Sequence, residues 1–388
     1  MRSIFAFSDN NLYIHRIIAE NMYIYQLRDW PDFTWDTDAL LPRLGEVRHR
    51  QGRILGLMSS AGFKINETAV LDTLTLDVTK SSEIEGEKLN IDQVRSSIAR
   101  RLGIELIGAV PSDRNVDGVV EMLLDATQRY TDELTADRLY DWHAGLFPTG
   151  RSGIQKIRVG AWRTAEAGPT QVVSGAMGKE KIHFEAPGAD RLSAEMETFL
   201  NWFNAKPDTD AVLKAAVAHL WFVTIHPFDD GNGRIARAIT DMQLARADGT
   251  PKRFYSMSAQ ILREKTAYYD ILEQTQKGGL DITAWLRWFL DCLFYAMDHP
   301  EETLAAVANR GNFWERHRDT PLNSRQQFML NVLLDDFFGK LTSTKWARMT
   351  KSSPDTALRD IQDLIEKGIL EKEPGGGRNT TYKLVSIG

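Results

Sequence analysis

Residues 226–237 read His226-Pro227-Phe228-Asp229-Asp230-Gly231-Asn232-Gly233-Arg234-Ile235-Ala236-Arg237. A largely apolar helical pattern, Ala215 to Ile225, runs into this stretch and helical spacing resumes behind it, so it is a helix-loop-helix junction. Pro227 disfavours the helical region for His226 and ends the first helix there. Gly231 and Gly233 allow tight turns and close backbone approach, while Asn232 tolerates left-handed geometry. The N–H groups that open the second helix can then converge on one anion. Arg234 and Arg237 share a face of that helix's first turns, where cations oppose the macrodipole. A polyanion such as a triphosphate would supply the missing reason for them. Asp230 is a hard oxygen ligand suited to Mg²⁺ beside the same phosphates. His226, with an unperturbed pKa of about 6.5, suits a general base acting on an attacking hydroxyl. Phe228 reads as an apolar plug. Singly, each of these is ordinary structural usage, and the functional reading rests on their concurrence in one short window.

Outward from this junction the pattern is mainly α. Apolar residues at helical spacing occupy 36–58 and Val70 to Val78, and further helices are expected at about 113–130, 135–147, 190–205, 210–225, 233–247, 258–276, 281–298 and 301–318. Asn90 with Gln93 reads as a helix start. Between 151 and 187 glycines, prolines and short β-branched or aromatic runs predict an inserted hairpin. A polar stretch with Pro321 marks a boundary near Arg318 to Asn323. Behind it come three short helices, the last opened by Ser353-Pro354, and a glycine-tipped hairpin, the outline of a winged helix-turn-helix. The expected division is 1–110, an N-terminal helical segment; 111–318, a catalytic core; and 319–388, the winged helix. Residues 1–21 read as a poorly specified leader, with Met22 a second candidate start.

Composition narrows the classes. At about 150 residues per domain, 388 residues suggest two or three domains. Lys and Arg number 47 against 53 Asp and Glu, a net charge of −6, which argues against nucleic acid or an anionic membrane as the main partner. The single cysteine, Cys292, excludes internal disulfides and cysteine-rich zinc sites. The most apolar stretch, Ala284 to Met297, is cut by Arg287 and Asp291, so no membrane span is expected and a cytoplasmic protein is the default.

With these residues in view, the chain resembles the Fic-domain family. His226 to Arg237 matches the signature His-Pro-Phe-x-(Asp/Glu)-Gly-Asn-Gly-Arg-x-x-Arg at every specified position. The resemblance extends to Leu139–Phe147, to Gly160-Ala161-Trp162-Arg163 and to Asp281–Leu286, and so covers most of 70–300. It implies a Fic helical bundle with a β-hairpin flap and a protein adenylyltransferase. Mg²⁺–ATP would give AMP to a Tyr, Ser or Thr hydroxyl of a target protein, or of the chain itself, with release of pyrophosphate. Carried over, His226 is the base and Asp230 the metal ligand. Gly231, Asn232 and Gly233, continued by Ile235 and Ala236, form the phosphate cradle, and Arg234 and Arg237 the phosphate clamps. The branch that transfers phosphoryl groups has lysine where this chain has Gly233, which favours AMP transfer.

Ser81-Ser82-Glu83-Ile84-Glu85-Gly86 resembles the family's inhibitory motif, with Ser81 first and Glu85 as its glutamate. A carboxylate there could pair with Arg237 and compete with the γ-phosphate. The same glutamate could instead align water for removal of AMP, so a mainly de-AMPylating hydrolase is an alternative. The 165–186 hairpin, with Gln171, Val172 and Val173, resembles the flap that orients a target segment by strand pairing. Tyr269 is the better candidate for an ATP contact than Tyr268, which reads equally as core. His143 and His219 read as core histidines, and His183 simply as a flap residue. A homodimer is expected. The last winged-helix helix, Pro354 to Lys367, is net acidic, which favours protein contacts or dimer geometry over DNA. An ATP-sensing DNA-binding regulator is the remaining alternative, disfavoured because a sensor has little use for His226.

Overall fold

The structure, a computed structural model, describes residues 22–60, 63–106, 108–167, 169–174, 181–206, 209–298, 313–314, 316–334, 340–373 and 380–385. Its chain divides into two compact units, Met1–Pro300 and Glu301–Gly388. In order, the first unit contains α1 (Thr37–Ser60), α2 (Phe63–Ile84), α3 (Ile91–Leu102), α4 (Arg114–Gln128), α5 (Ala136–Leu146), β1 (Arg151–Ser152), β2 (Gln155–Lys156), β3 (Gln171–Ser174) and β4 (Lys181–Glu185). It continues with α6 (Leu192–Asn204), α7 (Ala211–Ile225), α8 (Asn232–Asp248), α9 (Met257–Arg263), α10 (Lys265–Gln276) and α11 (Thr283–Ala296).

The helices start where short polar side chains can take an orphan N–H. Asn90 accepts from the Gln93 amide, as their spacing predicts, and α3 ends on Gly103 at φ 70°. Asp113, Thr135 and Asp210 cap α4, α5 and α7 in the same way, each worth about 1 kcal/mol. Two expectations shift. α2 begins at Phe63, a full turn or more ahead of Val70, because its first turns carry polar residues that leave no apolar period to read. The single helix expected over 258–276 is two, broken at Glu264 with φ −108° and ψ 28°. Beyond the break, Lys265 donates to the Ile84 carbonyl at 2.6 Å, which ties α10 to the end of α2.

α7 is apolar around its whole circumference and therefore sits at the centre. It packs most extensively on α8. Phe199, Phe203, Phe222 and Phe228 are fully buried about it, each contributing about 2 kcal/mol by burial. Trp285 of α11 is also fully buried and satisfies its indole N–H on the Ala216 carbonyl at 2.9 Å. α4 and α5 touch backbone to backbone at Gly118 and Gly145.

The 151–187 region forms two hairpins where one was expected. β1 pairs with β2, Arg151 opposite Lys156, across a turn that uses Gly153 at φ 54°. β3 pairs with β4, Gln171 opposite Glu185 and Val173 opposite Ile182; the tip with Gly175 and Gly178 lies outside the described residues. The aromatic segment ahead of α1 lies against this second hairpin. Tyr23 and Tyr25 meet the Phe184 ring edge-on, at 5.0 and 6.0 Å, and Trp30 donates to Glu195 at 2.9 Å. Thr34 binds Leu280 and Ile282 through its backbone.

The second unit has α12 (Ser324–Leu334), α13 (Ser343–Thr350), α14 (Pro354–Glu366) and the antiparallel strands β5 (Leu370–Lys372) and β6 (Tyr382–Leu384). Trp346, Ile361, Leu364, Met329 and Leu330 form its core, joined by Phe313. Ser353 caps α14 with Pro354 in the first turn. Asp360, one of the acids that make this helix net acidic, is 5 % exposed and held by Arg325 at 2.7 and 3.0 Å. The glycine tip at 375–377, the leader 1–21 and most of the helix expected at 301–318 lie outside the described residues. Among the described residues no helix is long and apolar enough to cross a membrane.

Candidate functional site

The loop between α7 and α8 is built as a cradle. His226 terminates α7 at φ 53°, a left-handed position that costs a residue with a Cβ about 1–2 kcal/mol. Neighbouring groups hold it there: the His226 carbonyl accepts from Arg163 Nε at 2.8 Å, and the Pro227 carbonyl from the Arg163 amide at 2.9 Å. Asn232 closes the loop on itself, giving its Nδ2 to the Phe228 carbonyl at 2.8 Å and accepting the Phe228 amide at 3.0 Å. Phe228 plugs into the core and stacks on the His143 ring, centroids 4.2 Å apart. Gly231 is required twice over. Its φ is 81°, and a Cβ there would approach Phe147 to 2.9 Å.

Helix α8 thus begins with the amides of Asn232, Gly233 and Arg234, which have no acceptor four residues back within the helix. The Ile235 amide already donates to the Gly231 carbonyl. Ile235 and Ala236 are fully buried.

The histidines separate by their hydrogen bonds. His226 Nδ1 lies 3.2 Å from the Val223 carbonyl; a carbonyl only accepts, so Nδ1 carries the proton and Nε2 keeps its lone pair. Burial lowers its pKa to about 4. His143 accepts the Gly160 amide on Nδ1 at 3.1 Å and so donates Nε2–H to the Asp230 carbonyl at 3.2 Å. Its pKa too is lowered to about 4 by burial. His219 bridges Thr240 and Tyr268, both at 2.9 Å, deep in the core. The ring of Tyr268 is therefore part of that core network, whereas Tyr269 is 39 % exposed, its phenol raised to about 12 by burial and by the Glu85 charge.

Both arginines of the loop face carboxylates from the end of α2. Arg237, 3 % exposed, donates to Glu85 Oε1 at 2.7 Å, and to the Ser81 hydroxyl and carbonyl, each at 2.9 Å. Burial alone would disfavour its charge; the Glu85 carboxylate reverses this and raises its pKa. Its Nη1 is buried with no hydrogen-bond partner. Arg234 donates to Glu87 at 2.8 Å and lies over the Phe147 ring. Gly233 sits against the Glu85 carboxylate, so any Cβ at 233 would collide with it.

Asp230 has one carboxylate oxygen on the Gly231 amide at 2.6 Å and the other on the Ser152 hydroxyl from the β1–β2 hairpin. Among the described residues no three His, Cys, Asp or Glu side chains converge on a metal position. One carboxylate alone suits a Mg²⁺ that arrives with phosphate oxygens rather than a resident metal. On the flap, Gln171 and Val172 pair with Glu185 and Phe184, and Val173 is half-exposed. His183 lies on β4 of the flap, where its Nδ1 meets Glu273 of α10 at 2.5 Å, and Glu273 is held down to about 2 by Lys277 and His183.

Three contributors were not assigned from sequence. Glu87 had a signal, an acid two residues after Glu85. Arg163 lay in a noted segment without a role. Ser152 had no signal at all, because its neighbour Asp230 is distant in the chain. A cleft of about 470 Å³ lined by Glu121, Asp125, Arg138 and Asp141 involves none of the site residues.

Known proteins resemble this chain in sequence and in fold. Residues 133–244 match the Fic/DOC family model, and residues 23–104 match a domain of unknown function (DUF4172). A protein adenylyltransferase Fic of Culex quinquefasciatus is 28 % identical over 254 residues, covering 60 % of this chain and 45 % of that protein. One of Aedes aegypti is 27 % identical over 226 residues, covering 55 % and 39 %. The chain thus spans less than half the length of these two curated relatives. Among solved structures, a Fic family protein from Desulfovibrio desulfuricans G20 superposes with a TM-score of 0.51 at 19 % identity, covering 92 % of this chain and 98 % of that one. That likeness speaks to the fold.

Proposed function

We propose that this chain, which carries a Fic/DOC domain, is a protein adenylyltransferase that moves AMP from ATP to a hydroxyl of a protein target and is restrained by Glu85. The observation that carries the reading is the pair of buried arginines at the α8 entrance, each held by a carboxylate in place of another anion. The hydroxyl oxygen would bond to the α-phosphorus as the bond from that phosphorus to the α,β-bridging oxygen breaks, and pyrophosphate leaves. His226 is neutral near pH 7 with Nε2 free, so it can take the hydroxyl proton. The amides of Asn232, Gly233 and Arg234 and the two guanidiniums are fixed before substrate arrives, which is how preorganised charge stabilises a transferring group.

Asp230 would hold a Mg²⁺ that arrives with the nucleotide; such an ion supplies charge neutralisation on the phosphates. Tyr269, beside Glu85 at the mouth, is proposed to contact the nucleotide, and the exposed edge near Val173 to receive an extended target segment. Glu85 on Arg237 would keep the terminal phosphate from that guanidinium, so ATP would sit with its α-phosphorus out of line.

The test is incubation of wild type, Glu85→Gly and His226→Ala with α-labelled ATP and Mg²⁺, following label on protein. Label on Glu85→Gly that vanishes when His226→Ala is added supports transfer. Equal labelling by wild type and Glu85→Gly overturns the restraint, and no label on the chain or on added protein overturns the activity.

A further inference from the structure

Arg163 is 4 % exposed, and among the described residues no carboxylate pairs with it. Its guanidinium instead serves two backbone segments, the His226 carbonyl at 2.8 Å through Nε and the Pro187 carbonyl at 2.5 Å through Nη2. Its own amide adds the Pro227 carbonyl. The Asp229 charge favours this guanidinium from beyond pairing distance, but burial outweighs it and lowers the Arg163 pKa, so seating it here is costly. The cost buys geometry here, because Pro187 and Pro227 have no N–H and can be fixed only through their acceptors. A planar guanidinium holds two acceptors at a set angle, which a lysine ammonium cannot do.

The two segments belong to different parts of the site. Pro187 lies just beyond β4, where the hairpin base is closed by the Ala186 amide on the Thr170 carbonyl at 2.9 Å. His226 is the residue held at φ 53°. We infer that Arg163 is a positioning residue that couples the base of the flap hairpin to the orientation of His226, so that a target strand seated on the flap steadies the base that acts on its hydroxyl. This rests on the transfer reading above for its catalytic part, but the mechanical coupling does not depend on it. A displacement of about 1 Å at a reacting group costs on the order of a hundredfold in rate, so loosening one carbonyl grip is enough to matter.

The experiment uses the full chain with Glu85→Gly, alone and combined with Arg163→Gln or Arg163→Lys. Amide hydrogen exchange is followed at Phe184 and Ala186 and at His226 and Phe228, with calorimetric ATP affinity and the rate of pyrophosphate release from Mg²⁺–ATP. In Arg163→Gln, exchange is expected to rise in both segments together, ATP affinity to stay within about twofold and pyrophosphate release to fall about tenfold or more. Arg163→Lys, which is the second variant should Arg163→Gln not fold, should keep only one segment protected. Unchanged exchange at His226 and Phe228, or a rise in one segment alone in Arg163→Gln, overturns the coupling. A loss of turnover matched by an equal loss of ATP affinity overturns the positioning role. If the parent binds ATP yet releases no pyrophosphate and labels no protein, the transfer reading fails, while the exchange data still decide the coupling.

Discussion

Glu85 and Arg237 meet at 2.7 Å, and the next acid along the same turn, Glu87, meets Arg234 at 2.8 Å. The pairs differ in their surroundings. Arg237 is enclosed and shares its donors with Ser81, whereas Glu87 is the more exposed of the two carboxylates, at 39 % against 32 %. Arg234 is buried like Arg237, but its partner carboxylate is open to water, so the pair is screened by salt and contributes about 1 kcal/mol. Glu87→Gln is therefore expected to tighten ATP binding about two- to fivefold at low salt, with the effect gone at high salt. Glu85→Gln should tighten it about tenfold or more, since Glu85 is the less exposed carboxylate and sits on the guanidinium that Ser81 also encloses. Calorimetry on both single variants and the double variant decides this. An effect of Glu87→Gln as large as that of Glu85→Gln would contradict the ranking.

Gly118 and Gly145 bring α4 and α5 into backbone contact, and a methyl at 118 would fall on the Gly145 carbonyl. Gly118→Ala must spread the helices and is expected to cost about 2–3 kcal/mol in stability. At Gly145 the nearest atom to a new methyl would be the Gly118 oxygen at 3.3 Å, so Gly145→Ala should cost about 1 kcal/mol or less. Thermal unfolding of the two variants measures the difference.

His226 and His143 are lowered by burial to about 4 and His219 to about 3. Between these values and an unfolded pKa of about 6.5 the unfolded chain binds more protons, so stability is full above about pH 6.5 and falls as pH drops toward 4. Imidazole titration by NMR should find these three of the eight histidines still neutral at about pH 5.5, and denaturant unfolding should give a positive slope of stability with pH in that window.

His143 combines a ring stacked on Phe228 with two hydrogen bonds, to Gly160 and Asp230. His143→Phe keeps the stack and strands both backbone groups, at a cost of about 1–3 kcal/mol. His143→Ala also opens a cavity and should cost about 2 kcal/mol more. Urea unfolding of the pair separates the two contributions; equal losses would mean that the stack is unimportant.

The loop 226–237 was legible because its chemistry is local. Pro227 ends a helix, glycines permit a cradle and arginines at a helix entrance call for an anion, all within a dozen residues. The caps Asn90 and Ser353 were legible for the same reason. The polar first turns of α2, the break at Glu264 and the division of 151–187 into two hairpins were not, because each depends on what the segment packs against.

Amino-acid order alone thus determined a mainly helical chain, the position of the glycine-and-arginine helix start and the motif that supplies Glu85. Only the tertiary structure decided that Glu87 faces Arg234, that Ser152 and His143 hold Asp230, and that one buried guanidinium grips both His226 and Pro187. The physical reason is separation along the chain. A hydrogen bond between residues many tens of positions apart leaves no periodicity or spacing to read, and its partners are chosen by packing.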